Sequence, residues 1–358
     1  MTLKEIAALA GVSPSTVSRV INHPGSKAAS KEVENRIWKI IRETGYTPDT
    51  SARNLKLRSV PVPNTAGSKA IGCILARTHT TDPFFSKITR GLEREALRSG
   101  YTVKYIFSYQ DIENPDIQEA IQQTKVEGVA LLGRPDSRMR SFLKTNYKKI
   151  IYAGLNNIDS EFDQITCNAY LASKTAVSYL AELGHTHIAY LGERKNEIRY
   201  RGYWDAVSQL ALPLHREYII DTHLSSEDGY RAAAKLFASA DNITALFCAN
   251  DLTAIGAMKA AKEWGYRIPE DMSIIGIDDI ETCQYTTPML TTIHIPMEDL
   301  GIMTAKILID RIETGKRIPM KVELPFRLIK RGSCAAPPFK QAPRKKQLNA
   351  KNPTGIQP

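Results

Sequence analysis

GVSPSTVSRVINH, residues 11–23, is built almost wholly from small side chains, and most of its polar groups are hydroxyls. A helix made to fill a core would carry more Leu and Ile. Ser13 stands where an N-cap belongs, and Pro14 takes the first helical position, where a missing N–H costs nothing. The spacing predicts a helix from Pro14 to about Asn22. Val12, Val17, Val20 and Ile21 would pack inward, leaving Ser13, Ser15, Thr16, Ser18 and Arg19 to face elsewhere. Small hydroxyl side chains let a helix backbone approach phosphates and donate to them. An arginine reaches base edges or phosphates in a major groove.

The flanks support a nucleic-acid reading. Leu3, Ile6, Ala7, Leu9 and Ala10 recur at helical spacing before Gly11 breaks the run. Ser30 caps a third helix carrying Val33, Ile37, Trp38, Ile40 and Ile41, and Gly45 ends it. Three short helices with a tight Gly-containing turn between the first two are the helix-turn-helix signature. Residues 1–60 hold ten Lys/Arg against five Asp/Glu, and residues 327–358 hold eight with no acid, so a basic head and tail flank a mildly acidic body. That asymmetry points to an anionic polymer as partner.

After a Pro-, Gly- and Ser-rich linker, SVPVPNTAGSK, the pattern changes. Short β-branched runs alternate with amphipathic helices in two series, from AIGCIL to KIIYAG and from HIAYLG to SIIGID. Alternation of this kind predicts open parallel sheets, and two series predict two lobes. Three helices end in Gly before a strand, in LRSGYTVKYI, LAELGHTHIAYL and KEWGYRIPEDMSII. Beyond Cys334 the chain is Pro-, Lys- and Gln-rich, a composition that cannot repay ordering entropy. No run of 18 apolar residues exists, and MTLKEIAALAG makes a poor signal peptide. The five cysteines are scattered, as in a reduced cytoplasmic protein. No metal-ligand spacing, nucleophile elbow or phosphate-cradling Gly-rich loop occurs, so no enzyme, metal or cofactor is expected.

TLKEIAALAGVSPSTVSRVINH resembles the N-terminal motif of the LacI/GalR family of bacterial transcription regulators. The likeness continues through GYTPD into TSARNLKLRS, similar to the family's hinge helix, and reaches NDLTAIGAM and IIGIDD of its effector domain. It spans roughly residues 2–332. DPFFSKITRGLE and GVALLGRPDS are most similar to the evolved β-galactosidase repressor branch. The resemblance implies an all-α helix-turn-helix domain (1–48), a hinge helix (49–58) and a two-lobed α/β periplasmic-binding-protein-like effector and dimerisation domain (70–332), to which composition adds the linker (59–69) and a basic tail (333–358). It further implies that Pro14, Ser15 and Arg19 read bases, that Thr2, Thr16, Ser18 and Asn22 hold phosphates, and that Leu55, with Ala52 beside it, wedges the minor groove.

In open α/β folds ligands bind at the carboxyl ends of the strands. Asp82, Phe84 and Phe85 follow the first strand, Asn250 opens a helix after ALFCA, and Asp278 ends SIIGI. The resemblance places Arg199 at the family's hydroxyl-binding arginine, and Arg134 is expected to enter the cleft. Carboxylates, amides and arginine pair well with vicinal hydroxyls. Gly154 stands at the family's acidic pocket position, Leu224 at an aromatic one, and Gly133 precedes Arg134, which departs from a lactose-type pocket. The expected protein is a cytoplasmic, nucleoid-associated homodimer on a palindromic operator in double-stranded DNA. It would be a repressor released by a small carbohydrate or sugar phosphate, with no membrane partner. A co-repressor-dependent regulator and a sugar receptor without DNA function are the alternatives.

Overall fold

Ile6, Ala7 and Ala10 lie along one side of α1 (Leu3–Ala10) and meet Val17 and Val20 of α2 (Pro14–Asn22) and Ile37 of α3 (Lys31–Thr44), all six buried. The computed structural model describes residues 3–22, 30–44, 69–76, 82–158, 161–240, 242–315 and 318–337. The chain divides into two compact units, Met1–Gly67 and Ser68–Pro358.

In the first unit Gly11 has φ +66°, a left-handed conformation that lets Val12 N–H donate back to Ala7 O at 3.0 Å and stop α1. Ser13 then caps α2, its Oγ accepting from Thr16 N at 3.1 Å. Ser30 Oγ accepts from Val33 N at 3.4 Å and starts α3. Val12 is half-buried, whereas Leu9 is 59% exposed and stands off the core that its spacing suggested. The predicted hinge, with Ala52 and Leu55, lies outside the described residues, as do Thr2 and Gly45.

The second unit holds two six-stranded sheets, each flanked by helices. Lobe one contains β1 (Ala70–Leu75), β2 (Thr102–Ser108), β3 (Gly128–Leu132), β4 (Ile150–Gly154), β5 (Asp163–Cys167) and β11 (Lys321–Leu324), in the order β11-β5-β4-β3-β1-β2, all parallel. Lobe two contains β6 (Ile188–Gly192), β7 (Ile219–Asp221), β8 (Ala245–Cys248), β9 (Ser273–Asp278), β10 (Thr291–His294) and β12 (Arg327–Ile329), in the order β12-β10-β9-β8-β6-β7, with only β12 antiparallel. β1, β3, β4, β5 and β6 are buried at every position, because helices cover both faces of each sheet.

The helices of lobe one are α4 (Pro83–Arg98), α5 (Pro115–Gln123), α6 (Ser137–Asn146) and α11 (Met297–Thr314). Those of lobe two are α7 (Ala169–Glu182), α8 (Ile198–Gln209), α9 (Ser226–Ser239) and α10 (Asp251–Glu263). Glycine lets paired helices touch backbone to backbone. A Cβ at Gly301 of α11 would stand 2.0 Å from Ile88 O of α4, and one at Gly256 of α10 would stand 2.0 Å from Ser226 O of α9. The three expected Gly stops, Gly100, Gly184 and Gly265, all have positive φ.

The chain passes between the lobes three times, after β5, after β10 and between β11 and β12. Asp163, fully buried, anchors the entry into β11: Arg311 donates to both its oxygens and Met320 N donates to Oδ1 at 2.8 Å. Residues 333–337, assigned to the tail on composition, run along lobe two. Buried Ser333 Oγ accepts from Thr291 N at 2.8 Å, and Ala335 O meets the buried ring of His185 at 2.8 Å. The His185-x-His187 pair is thus structural at its first member, whose ring also meets Thr244 and Ser273.

Candidate nucleic-acid interface and effector cleft

The second helix of the head presents two chemically distinct sides. Val17 and Val20 are closed off, while Ser13, Pro14, Ser15 and Arg19 are exposed and Thr16 is half-buried. The three hydroxyls at the start of α2 form a small cluster, with Ser13 Oγ at 2.7 Å from Ser15 Oγ and 2.9 Å from Thr16 Oγ1. Arg19 makes no ion pair among the described residues, so its donors are available to a ligand. The side chains of Ser18 and Asn22 lie outside the described set.

In the body, a cleft of about 1060 Å³ opens between the carboxyl ends of the two sheets. A second cavity of about 710 Å³, on the side of the β5–α7 passage, shares Asn156, Asn157, Arg194 and Asn196 with it. The β6–α8 connection supplies the electrostatic centre. Glu197, two residues before Arg199, takes Arg199 Nε at 2.8 Å and Nη2 at 3.1 Å, and Arg199 Nη1 donates to Ala249 O at 2.8 Å. From lobe one, Arg134 crosses to donate to Glu197 at 3.1 Å, to Glu193 at 2.8 Å and to Asn196 O. Burial would raise the Glu197 carboxyl, but the charge and hydrogen bonds of Arg199, with Arg134, outweigh it and hold it at about 2. Burial likewise opposes the charge on Arg199, and Glu197 overrides it, so the guanidinium is held more firmly charged than usual.

Asp278 is the unbalanced member. It is 4% exposed, has φ +124°, and its Oδ1 has no hydrogen-bond partner among the described residues. Burial, and then the charge of Asp251, raise its carboxyl well above the usual range, with Arg199 opposing. Asp82 and Glu197 also act on it, so these four acids and Arg199 converge. Strain and an unmet acceptor at the end of a strand mark a site held ready for a donor. Asp251 itself is occupied. It accepts from Thr292 Oγ1 at 2.6 Å, Ile280 N at 3.0 Å and Cys283 Sγ at 3.1 Å, and burial, offset by these bonds, raises it to about 6.

The other expected effector residues fall differently. Asp82 caps α4, accepting from Phe84 N at 2.9 Å. Phe84 and Phe85 are buried in the lobe-one core, edge to face at 5.3 Å, and the Phe85 ring would meet a Cβ at Gly133 at 2.9 Å. Asn250 is spent on capping: its Oδ1 accepts from Thr253 N at 2.9 Å and its Nδ2 donates to Leu224 O at 3.2 Å. Of the seven, Arg134 lines the 1060 Å³ cleft. Gly154 leaves no room for an acid, since Tyr152 Oη stands 2.3 Å from where its Cβ would be. Glu193 and Glu197 were missed from the sequence. Their signal was the charged run ERKNE immediately after β6. Among the described residues no group of three or more His, Cys, Asp or Glu could hold a metal ion.

The chain is 30% identical over 347 residues to the HTH-type transcriptional repressor PurR of Yersinia pestis, covering 95% of this chain and 98% of that protein. It belongs to the LacI family. Residues 2–49 match the model for bacterial regulatory proteins of the lacI family, and residues 177–334 match the periplasmic binding protein-like domain. Two LacI-family structures share the architecture. The regulator from Enterococcus faecium with bound ribose is 30% identical with a TM-score of 0.65, covering 75% of this chain and 99% of that one. The lac repressor dimer bound to operator and the anti-inducer ONPF is 23% identical with a TM-score of 0.66, covering 94% and 99%. As a LacI-family member the protein is a DNA-binding transcriptional regulator and not an enzyme. No helix among the described residues is long and apolar enough to cross a membrane.

Proposed function

We propose that this protein is a homodimeric repressor that leaves a palindromic operator when a small polyhydroxylated effector enters the cleft between its lobes. The observation that carries the effector half is the buried, unpartnered Oδ1 of Asp278, which a ligand hydroxyl would satisfy. The exposed Ser15 and Arg19 of a helix anchored by Val17 and Val20 carry the DNA half. One head offers few base contacts, and a symmetric dimer doubles them on a palindrome. Thr2, Thr16, Ser18 and Asn22 hold phosphates in this reading, and Leu55 with Ala52 enters the minor groove.

Arg134 binds Glu193 and Glu197 across the cleft, so an effector must compete with, or add to, an existing link between the lobes. Switching a 1:99 population to 99:1 takes about 5.5 kcal/mol of differential affinity for the two lobe arrangements. The test is fluorescence anisotropy of a labelled palindromic duplex from upstream of the gene, titrated with protein and then with sugars, sugar phosphates and nucleobases. Salt-dependent binding released by one compound supports the proposal. Binding that appears only on adding a compound makes that compound a co-repressor. The absence of specific binding throughout overturns the DNA half.

A further inference from the structure

The basic tail is a charged feature of the sequence that neither the head nor the cleft uses. Residues 338–358, PFKQAPRKKQLNAKNPTGIQP, lie beyond the described residues and carry Lys340, Arg344, Lys345, Lys346 and Lys351 with no acid. Cations without a counter-charge in their own segment call for a partner of opposite sign. Phe339, Leu348 and Ile356 are the only large apolar side chains there, and four prolines interrupt the run. The composition offers charge and little apolar surface.

The root of the tail is fixed on lobe two. Ser333 is fully buried, its Oγ accepting from Thr291 N at 2.8 Å and donating to Ile274 O at 2.6 Å. Ala335 N donates to Ser273 Oγ at 3.1 Å, and a Cβ at Gly184 would stand 3.5 Å from Pro337. The cations of the root are partly spent. Arg331 donates to Asp279 at 2.6 Å and Lys330 lies 4.8 Å from the centre of the Tyr179 ring, whereas Arg327 is exposed and makes no ion pair among the described residues. The exposed acid closest in sequence to Gly184 is Glu182, and one carboxylate does not balance five cations. From Pro337 the tail spans up to about 70 Å. A globular unit the size of Ser68–Pro358 is about 50 Å across, so a partner beyond either end of the body is within reach.

We propose that residues 338–358 are a second contact to duplex DNA, one that reads charge and not sequence, with Lys340, Arg344, Lys345, Lys346 and Lys351 on backbone phosphates. Duplex DNA is favoured over other polyanions because the head already brings it to this molecule. Once the head is bound, phosphate stands at high local concentration within the span of the tail. Such a contact raises affinity for every duplex alike and steepens the salt dependence without adding specificity. It needs the DNA-binding head and not the repressor reading.

The experiment is fluorescence anisotropy of a labelled duplex of scrambled sequence between about 50 and 200 mM salt. The full chain is compared with a chain ending at Pro337, which keeps every described contact of the root, and with K340Q/R344Q/K345Q/K346Q/K351Q, which keeps the length. Each phosphate contact contributes about 0.9 to the slope of log affinity against log salt, so both variants should flatten the slope by about 4 per chain and bind at least tenfold more weakly at the low-salt end. K340R/K345R/K346R/K351R should keep the slope of the full chain. Equal thermal midpoints report an intact body throughout. The inference is overturned if the slope is unchanged in the shortened chain, or if shortening flattens it and the glutamine variant does not. It is also overturned if binding tightens on shortening, which would put the tail against the acids of the body. Phosphatidylserine vesicles and single-stranded RNA are titrated alongside, and tail-dependent binding to either with an unchanged duplex slope overturns it in favour of that partner. The scrambled duplex requires neither operator nor effector, which separates the two proposals. An unchanged slope with intact operator release ends this inference alone. A flattened slope without operator recognition ends the repressor reading alone.

Discussion

Glu197 holds Arg199 with both carboxylate oxygens, at 2.8 and 3.1 Å, and both side chains are buried. Its second oxygen also reaches Arg134 from the facing lobe. One carboxylate thus ties together two arginines, one from each lobe.

Glu197→Gln should leave Arg199 buried without its counter-charge and cost about 3–5 kcal/mol in chemical denaturation. The companion E197Q/R199M should recover much of that loss, because it removes the stranded charge. The pair also sets a pH dependence. The folded carboxyl titrates at about 2 against an ordinary 4.5, so the folded state binds fewer protons than the unfolded state. The stabilisation is complete above about pH 4.5 and is lost as pH falls toward 2. E197Q should show a flatter acid limb in that window.

Asp278 has the opposite sign. Its raised carboxyl keeps a proton that the unfolded chain releases near the ordinary value of 3.8, so the group costs stability as pH rises above that value. Asp278→Asn should therefore raise the thermal midpoint, and by more at pH 8 than at pH 5. Asp278→Leu, which leaves no side-chain oxygen to meet a ligand hydroxyl, should weaken the response of operator binding to effector at least tenfold. An asparagine variant that lost stability at every pH would contradict the geometry.

Gly154→Ala should cost about 1–3 kcal/mol by overpacking against Tyr152 Oη. The Tyr152 hydroxyl is buried with no hydrogen-bond partner among the described residues, so its removal should cost little. G154A/Y152F should then be more stable than G154A alone. A double-mutant cycle that returned simple additivity would show that the two positions do not compete for one space.

In the head, Arg19→Ala should weaken operator binding by about 1–3 kcal/mol in anisotropy titrations while leaving the helical signal intact. Ser13→Ala should act through folding instead. It removes the cap on Thr16 N and should lower head stability by about 1 kcal/mol. Equal effects of the two changes on affinity at full folding would refute this division of labour.

Much of this molecule is written in local pattern. Ser13 before Pro14 marks the start of α2, Gly11 requires a left-handed turn, and Val17 with Val20 sets the buried side, because capping, φ and helical period are properties of neighbours in the chain. The alternating runs of the body reveal its strands and helices for the same reason. Four strands of each sheet followed from the same pattern, while β5, β10, β11 and β12 and the three passages between lobes emerged only in the fold. The binding chemistry was decided by tertiary structure. Arg134 and Glu197 are 63 residues apart and meet only when two sheets face each other across a cleft. Whether an arginine is free or neutralised depends on such distant partners. So Arg134 and Arg199, prominent in the sequence as ligand-binding cations, are paired with Glu193 and Glu197.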